Sequence, residues 1–274
     1  MELEGLKRRR LQSWCQDGEH RVPDSTAAVD FINRHGLATL YPASTEVPNL
    51  YWAYVSEPNA KSEAKWDSPA GEVYGWRWDL GRANSAFYGA LVAKKPTWIG
   101  WDALPYVLGF AMDRRDPEAQ YADGLLSNEA IRIVRAFEGT EGILSTKDLR
   151  SRAGFPTGKA ERAAYLRGVE ELDSRLFLAK TFDVGGEGDD MSHALIRMKY
   201  GAQVAEGLSM AQEAALAAFL GRYLPQAIYL DPRPFAKHLR LSPQLMEGAL
   251  ASLITDGLAT RFEGLVVTTK QLGE

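Results

Sequence analysis

The feature that most restricts this chain is an ordered set of elements that occurs twice, in tandem, from residue 127 to the end. Ser127 can cap a helix in which Ile131, Val134 and Phe137, with Ile133 between them, keep a helical period, and Gly139 stops it. Ile143 and Leu144 form a short apolar pair, and Ser145 can cap a second helix. The turn Gly154-Phe155-Pro156-Thr157-Gly158 then leads into a third helix over 159–175. The runs LFLAKTFDV and HALIRMKY follow as strands, separated by GGEGDD, whose glycines permit a turn and whose acids keep it solvated. The same order returns when Ser209 caps MAQEAALAAFLGRYL, followed by IYL, the helix DPRPFAKHLRL, the helix SPQLMEGALASLITDG, and a hairpin of LATR and LVVTT split by Phe262-Glu263-Gly264. In the last helix Leu245, Met246, Ala249, Leu250 and Leu253 form the stripe expected to be buried, and Gly257 ends it. Three helices and a hairpin make a winged helix-turn-helix, and its recurrence is stronger evidence than either copy alone. The expected fold is mainly α with small β-hairpins, carrying tandem winged helix-turn-helix modules over 127–204 and 205–274.

Residues 1–126 form a helical, aromatic-rich module that fits the scheme less cleanly and reads as a divergent winged helix. Helices are expected over 2–16, from Ser25 or Thr26 to Gly36, over 81–95 before Pro96, and over 101–112; VYGWRWDL is the best strand candidate. At 274 residues the chain is too long for one minimal domain, so several modules sharing a core are expected. Its one cysteine, Cys15, cannot form an internal disulfide. His20, His35, His193 and His238 show no metal spacing, and no phosphate-binding glycine loop occurs, so neither metal nor cofactor is expected. With no apolar run of bilayer length and no apolar stretch in MELEGLKRRR, the expected location is cytoplasmic, away from membranes.

The net charge of −4 argues against chain-wide attraction to phosphate. The balance is local, however, because residues 127–200 carry 12 basic and 12 acidic side chains and are the part least repelled by DNA. Lys159 and Arg162 open the third helix of the middle module, the element that enters the major groove in winged-helix proteins, and Arg150 and Arg152 flank the preceding turn. Lys94 and Lys95 stand at the end of an expected helix, and Lys7 to Arg10 form a basic run on the first one, either reaching a DNA backbone or salt-bridged to nearby acids. The equivalent helix of the last module offers Gln244, Glu247 and Ser252 without a cation, which suits packing or a homodimer interface better than phosphate.

Six tryptophans, Trp52, Trp66, Trp76, Trp78, Trp98 and Trp101, crowd the front module, either as core or as a slot in which a base could stack. Read as a strand, YGWRWDL puts Tyr74, Trp76 and Trp78 on one face, with Arg77 and Asp79 on the other, where they could pair or face a cleft.

Two winged helices behind a front segment containing FINRHGLATLYPAST, PNLYWAY, YGWRWDL and LPYVLGF resemble the AlkZ/YcaQ family of winged-helix DNA glycosylases, in its AlkZ-related branch. The resemblance implies a DNA partner, duplex and damaged, and a tie to DNA repair. Members that excise bases carry, after a helix ending in glycine, a glutamine, an apolar residue and a glutamine or aspartate. Here Gly36 is followed by Leu37-Ala38-Thr39-Leu40-Tyr41, which sets Thr39 and Tyr41 at those polar positions. A threonine hydroxyl cannot serve as a carboxylate base, and tyrosine, with an ordinary pKa of about 10, is protonated at neutrality. The expectation is a DNA-binding protein that has lost the glutamine-based motif. The alternatives are an active glycosylase in which Glu46 or Asp79 supplies the acid, or a water is held by Thr39, and a winged-helix transcriptional regulator.

Overall fold

The computed structural model describes residues 2–182 and 191–272. Helix α1 (Leu3–Ser13) precedes a first unit of α2 (Ser25–His35), β1 (Leu37–Thr39), α3 (Leu50–Val55), α4 (Pro69–Arg82), β2 (Phe87–Gly89) and β3 (Thr97–Ile99). Two linking helices, α5 (Leu104–Ala111) and α6 (Pro117–Ala122), lead to a second unit: α7 (Asn128–Arg135), β4 (Ile143–Ser145), α8 (Thr146–Arg152), α9 (Lys159–Ser174), β5 (Leu178–Thr181) and β6 (Ser192–Leu195). Helices α10 (Ile196–Lys199) and α11 (Gly201–Ser209) then reach a third: α12 (Gln212–Ala227), β7 (Tyr229–Leu230), α13 (Pro232–Leu239), α14 (Pro243–Thr255), β8 (Ala259–Phe262) and β9 (Leu265–Thr268), closed by α15 (Thr269–Leu272). Helix, strand, helix, helix, strand, strand thus occurs three times. In each unit the last strand lies antiparallel between the other two, giving the orders β1-β3-β2, β4-β6-β5 and β7-β9-β8. The molecule is mainly helical with small antiparallel sheets.

Short polar caps set most helix starts. Asp24, Asn49, Ser68, Ser127, Ser145 and Ser242 each accept a backbone N–H two or three residues into the helix they precede, satisfying a donor that the helix itself cannot. Glycines at left-handed φ end others, as Gly36 does after α2 with φ 77°.

Four sequence expectations are corrected. VYGWRWDL is not a strand but the body of α4: Ser68 caps Gly71, Pro69 fits the first turn, and Val73, Trp76 and Leu80 recur at helical spacing on the buried side. The helix expected over 81–95 is instead β2, a single 3-10 turn at Val92–Lys94 and the approach to β3, because the chain reverses at Asn84 with φ 49° and aromatic and β-branched residues then dominate. HALIRMKY leaves the sheet at Leu195 and becomes helical. Ser209 ends α11 rather than capping α12, its hydroxyl donating to the Glu206 carbonyl; the expected boundary at 204/205 therefore falls inside a helix. The expected GGEGDD tip lies outside the described residues.

One apolar core runs through all three units along α5, α7, α9 and α12, and a second, aromatic one fills the first unit around Phe31, Trp76, Tyr88 and Trp98. Phe182, at the end of β5, leaves its own unit to pack on Tyr88 and Trp98. The buried Asp173 of α9 accepts the Ala90 N–H at 3.1 Å, so first and second units are fastened by an apolar and a polar contact together. Helices α5 and α11 cross with their backbones touching: a Cβ on Gly207 would lie 2.5 Å from the Pro105 carbonyl oxygen. Gly207→Ala should therefore cost about 1–3 kcal/mol by forcing the helices apart, read as a lower urea midpoint. No helix among the described residues is long and apolar enough to cross a membrane.

Candidate nucleic-acid interface

Helix α4 and the loop before it build an open slot of about 380 Å³ lined by Tyr41, Trp66, Tyr74 and the paired Glu63 and Lys65. Helical rather than extended geometry decides its walls. Tyr74 and Trp78, four residues apart, share a face with ring centroids 5.3 Å apart, while Trp76 turns inward against Tyr54. Trp66 stands 71% exposed, edge-on to Tyr74 at 5.4 Å. The Arg77 guanidinium lies over Tyr74 at 3.4 Å and Trp78 at 3.9 Å, a cation held against π faces behind the slot. Arg77 does not pair with Asp79, because residues two apart on a helix diverge; Asp79 is exposed to solvent.

Of the two residues at the motif positions, only Tyr41 reaches the slot, where its hydroxyl donates to the Ala70 carbonyl at 2.7 Å. Burial raises the Tyr41 phenol above its ordinary pKa, against the opposing pull of Arg77, so it remains a protonated donor. Thr39 is fully enclosed, 0% exposed, at the end of β1 opposite Thr97, with its hydroxyl directed to the Pro48 carbonyl at 3.5 Å. That enclosure leaves no place at Thr39 for a substrate water. Glu46 is also enclosed, its carboxylate occupied by Arg10 at 3.2 Å and by the Asp231 N–H at 2.9 Å. It serves as a strut between the first and third units and does not face the slot.

Among the basic residues, the structure separates presented from consumed charge. Arg150 donates to the Pro156 carbonyl at 2.6 Å, and Arg152 to those of Ala136 at 2.8 Å and Glu138 at 3.0 Å. Both brace the turns around α8 through neutral carbonyls and keep their charge, Arg152 exposed and Arg150 partly so. Lys94 pairs with Glu170 at 3.3 Å, while Lys95 is exposed. The run Lys7 to Arg10 is divided, with Lys7 paired to Glu4 and Arg10 buried. Lys159 and Arg162 are exposed at the first turn of α9, and no carboxylate pairs with either among the described residues. Leu166, one turn further on, is 51% exposed and belongs to the same face.

Sequence reading named Trp66 only as one of six tryptophans that could form core or a slot, and missed Tyr74 as its partner and Arg10 as the strut. The signal for Trp66 was present in EAKWDSP, a tryptophan set among charges just before a capped helix, where no apolar period could bury it.

The fold is similar to that of the Streptomyces sahachiroi DNA glycosylase AlkZ. That structure matches at a TM-score of 0.57 and 15% identity over 97% of this chain and 70% of that one. No curated protein matches the sequence. The family model described as AlkZ related matches residues 22–184, more than half of the chain, and the chain belongs to the AlkZ-related family.

Proposed function

We propose that this is a DNA-binding protein built of three tandem winged helices, one in each of the three units, with the boundary between the second and third moved to the end of α11 at Ser209. In it α9 lies against DNA, and the Tyr41–Trp66–Tyr74 slot takes an unstacked base. The observation that carries it is the pair Lys159 and Arg162, exposed and without an acidic partner among the described residues, at the start of α9, the third helix of the middle unit. Phosphate contact requires cations of that kind, because affinity comes from neutralising backbone charge. Membership of the AlkZ-related family and the shared fold support DNA repair as the setting. A DNA-bound role inside the cell agrees with the expected cytoplasmic location.

Base excision by the glutamine route is absent from this reading. Thr39 is enclosed, Tyr41 is held protonated, and Glu46 is committed to Arg10, so none offers a base to a water. The last unit packs: Glu247 of α14 pairs with Arg261 of β8, and self-association through its exposed side would appear in light scattering as twice the monomer mass.

Fluorescence anisotropy on duplexes with and without an alkylated or abasic site tests the reading; equal and negligible binding to all of them at low salt would end it. Abasic product from an alkylated oligonucleotide would replace binding with active glycosylase chemistry. Trp66→Ala should weaken binding to a duplex with an unpaired base by about 1–3 kcal/mol, the worth of one stacking contact, and leave the urea midpoint nearly unchanged.

A further inference from the structure

Two cavities at the far end of α9 form one groove. The larger, about 620 Å³, lies between the loop 111–115, the end of α9 and the start of α14. The other, about 480 Å³, lies along the last turns of α9 beside Lys94. They share Ser174, Arg175 and Arg240. The larger part is lined by four arginines, at 114, 115, 175 and 240, against a single carboxylate, Asp113. Most of this charge is already engaged. Arg115 pairs with Asp113 at 2.9 Å, Arg175 with Glu171 at 3.3 Å, and Arg114 donates to the carbonyls of Leu208 and Met210.

Arg240 is different. It caps α13 in the left-handed conformation, with φ 57°, and its one partner among the described residues is the Ser174 carbonyl, to which Nη2 donates. Nε and Nη1 are left over on an exposed side chain, beside a second arginine and with no carboxylate paired to it among the described residues. Partial burial of the guanidinium, and then Arg175, pull its pKa below the ordinary value. The N-terminus of the 13-residue helix α14, with Ser242 on the groove wall, adds a positive dipole end to the same space.

We propose that this groove is a phosphate-binding site centred on Arg240, and that the phosphate it takes is a backbone phosphodiester of the strand that α9 meets at Lys159 and Arg162. The source of the phosphate rests on the DNA-binding reading; the anion chemistry does not. Arginine suits the ligand because its fork donates to two phosphate oxygens at once. The groove runs along the last turns of α9, where Glu170, Glu171, Ser174 and Arg175 line it. Lys159 and Arg175 are about 24 Å apart along the helix axis, roughly the rise of seven stacked nucleotides.

The test uses the full chain, with Arg240→Asn as the main variant, since asparagine tolerates the left-handed φ. Inorganic phosphate, titrated against chloride at constant ionic strength, is expected to raise the melting temperature of the unaltered protein and to lose most of that effect in R240N. A ten-nucleotide oligothymidylate is expected to bind R240N about tenfold more weakly at low salt, with a log–log salt slope smaller by about one contact. The same phosphate response in R240N as in the unaltered protein would overturn the site. A phosphate response that depends on Arg240, with oligonucleotide affinity that does not, would overturn the nucleic-acid assignment and leave a small-anion site. If Lys159→Ser/Arg162→Ser abolishes DNA binding while the Arg240-dependent phosphate response persists, the groove stands on its own; loss of DNA affinity in R240N alone would instead leave the groove in place and remove the role of α9. Should R240N fail to fold, Arg240→Gly, which also tolerates the left-handed φ, carries the same comparison.

Discussion

Replacing Arg10 by alanine should destabilise the protein by about 3–5 kcal/mol, the cost of leaving one half of a buried ion pair behind. Arg10 is 5% exposed and Glu46 4%. Besides Glu46, the guanidinium donates to the carbonyls of Ala227 at 2.9 Å, Thr45 at 3.1 Å and Tyr229. Tyr223 of α12 donates to the Glu46 carbonyl as well. One side chain on α1 thus satisfies carbonyls at the end of the third unit's first helix, in its strand β7, and in the loop after β1 of the first unit. Removing it strands Glu46 as a buried charge and frees three acceptors. Urea unfolding is the measurement; the double variant Arg10→Met/Glu46→Leu should recover much of the loss, since neither charge then remains. A loss below about 1 kcal/mol in Arg10→Ala, the range of exposed pairs, would show that the strut is solvated.

Acid should weaken the fold in a defined window. His35 and His193 are buried, and burial holds both imidazoles at a pKa of about 4. Unfolded, they titrate near the ordinary value of about 6.5. Between those values the unfolded chain binds more protons than the folded one, so stability is complete above about pH 6.5 and falls as the pH drops towards 4. Each histidine contributes about 3 kcal/mol to that loss, from about 1.36 kcal/mol for each pKa unit. Asp173 works in the opposite direction: burial raises its carboxyl despite Lys180, so its protonation returns part of the stability in acid. Urea unfolding from pH 7.5 to 4.5 should show the decline, and His193→Asn should flatten it. A profile that stays level to pH 5 would mean that the imidazoles are hydrated.

The rear half of the fold was legible in sequence because its signals are local and agree with one another. Ser127 and Ser145 cap where a cap was expected, and of the expected stripe Met246, Ala249, Leu250 and Leu253 are buried while Leu245 is partly so. The front unit was obscured by its aromatics. Tyr74, Trp76 and Trp78 alternate like a strand, and only the Ser68-Pro69 cap, upstream of the run, shows that they wind into α4. Most of the tryptophans went to the core, Trp76 and Trp98 completely, which left Trp66 as the wall of the slot. Site residues were harder for a different reason. Whether Arg150, Arg152 or Arg10 is free to reach a partner or is held in place depends on carbonyls brought close by the fold, and for Arg10 one of these is 217 residues away. Sequence spacing holds no record of such partners.

The salt dependence of duplex binding by the unaltered protein and by Lys159→Ser/Arg162→Ser is the most direct measurement of whether α9 meets DNA. Two lost phosphate contacts should lower the slope of log affinity against log salt by about two and weaken binding at every salt concentration, whatever the sequence of the duplex. The same slope and affinity in both proteins would place the DNA elsewhere and contradict the assignment of α9 as the contacting helix.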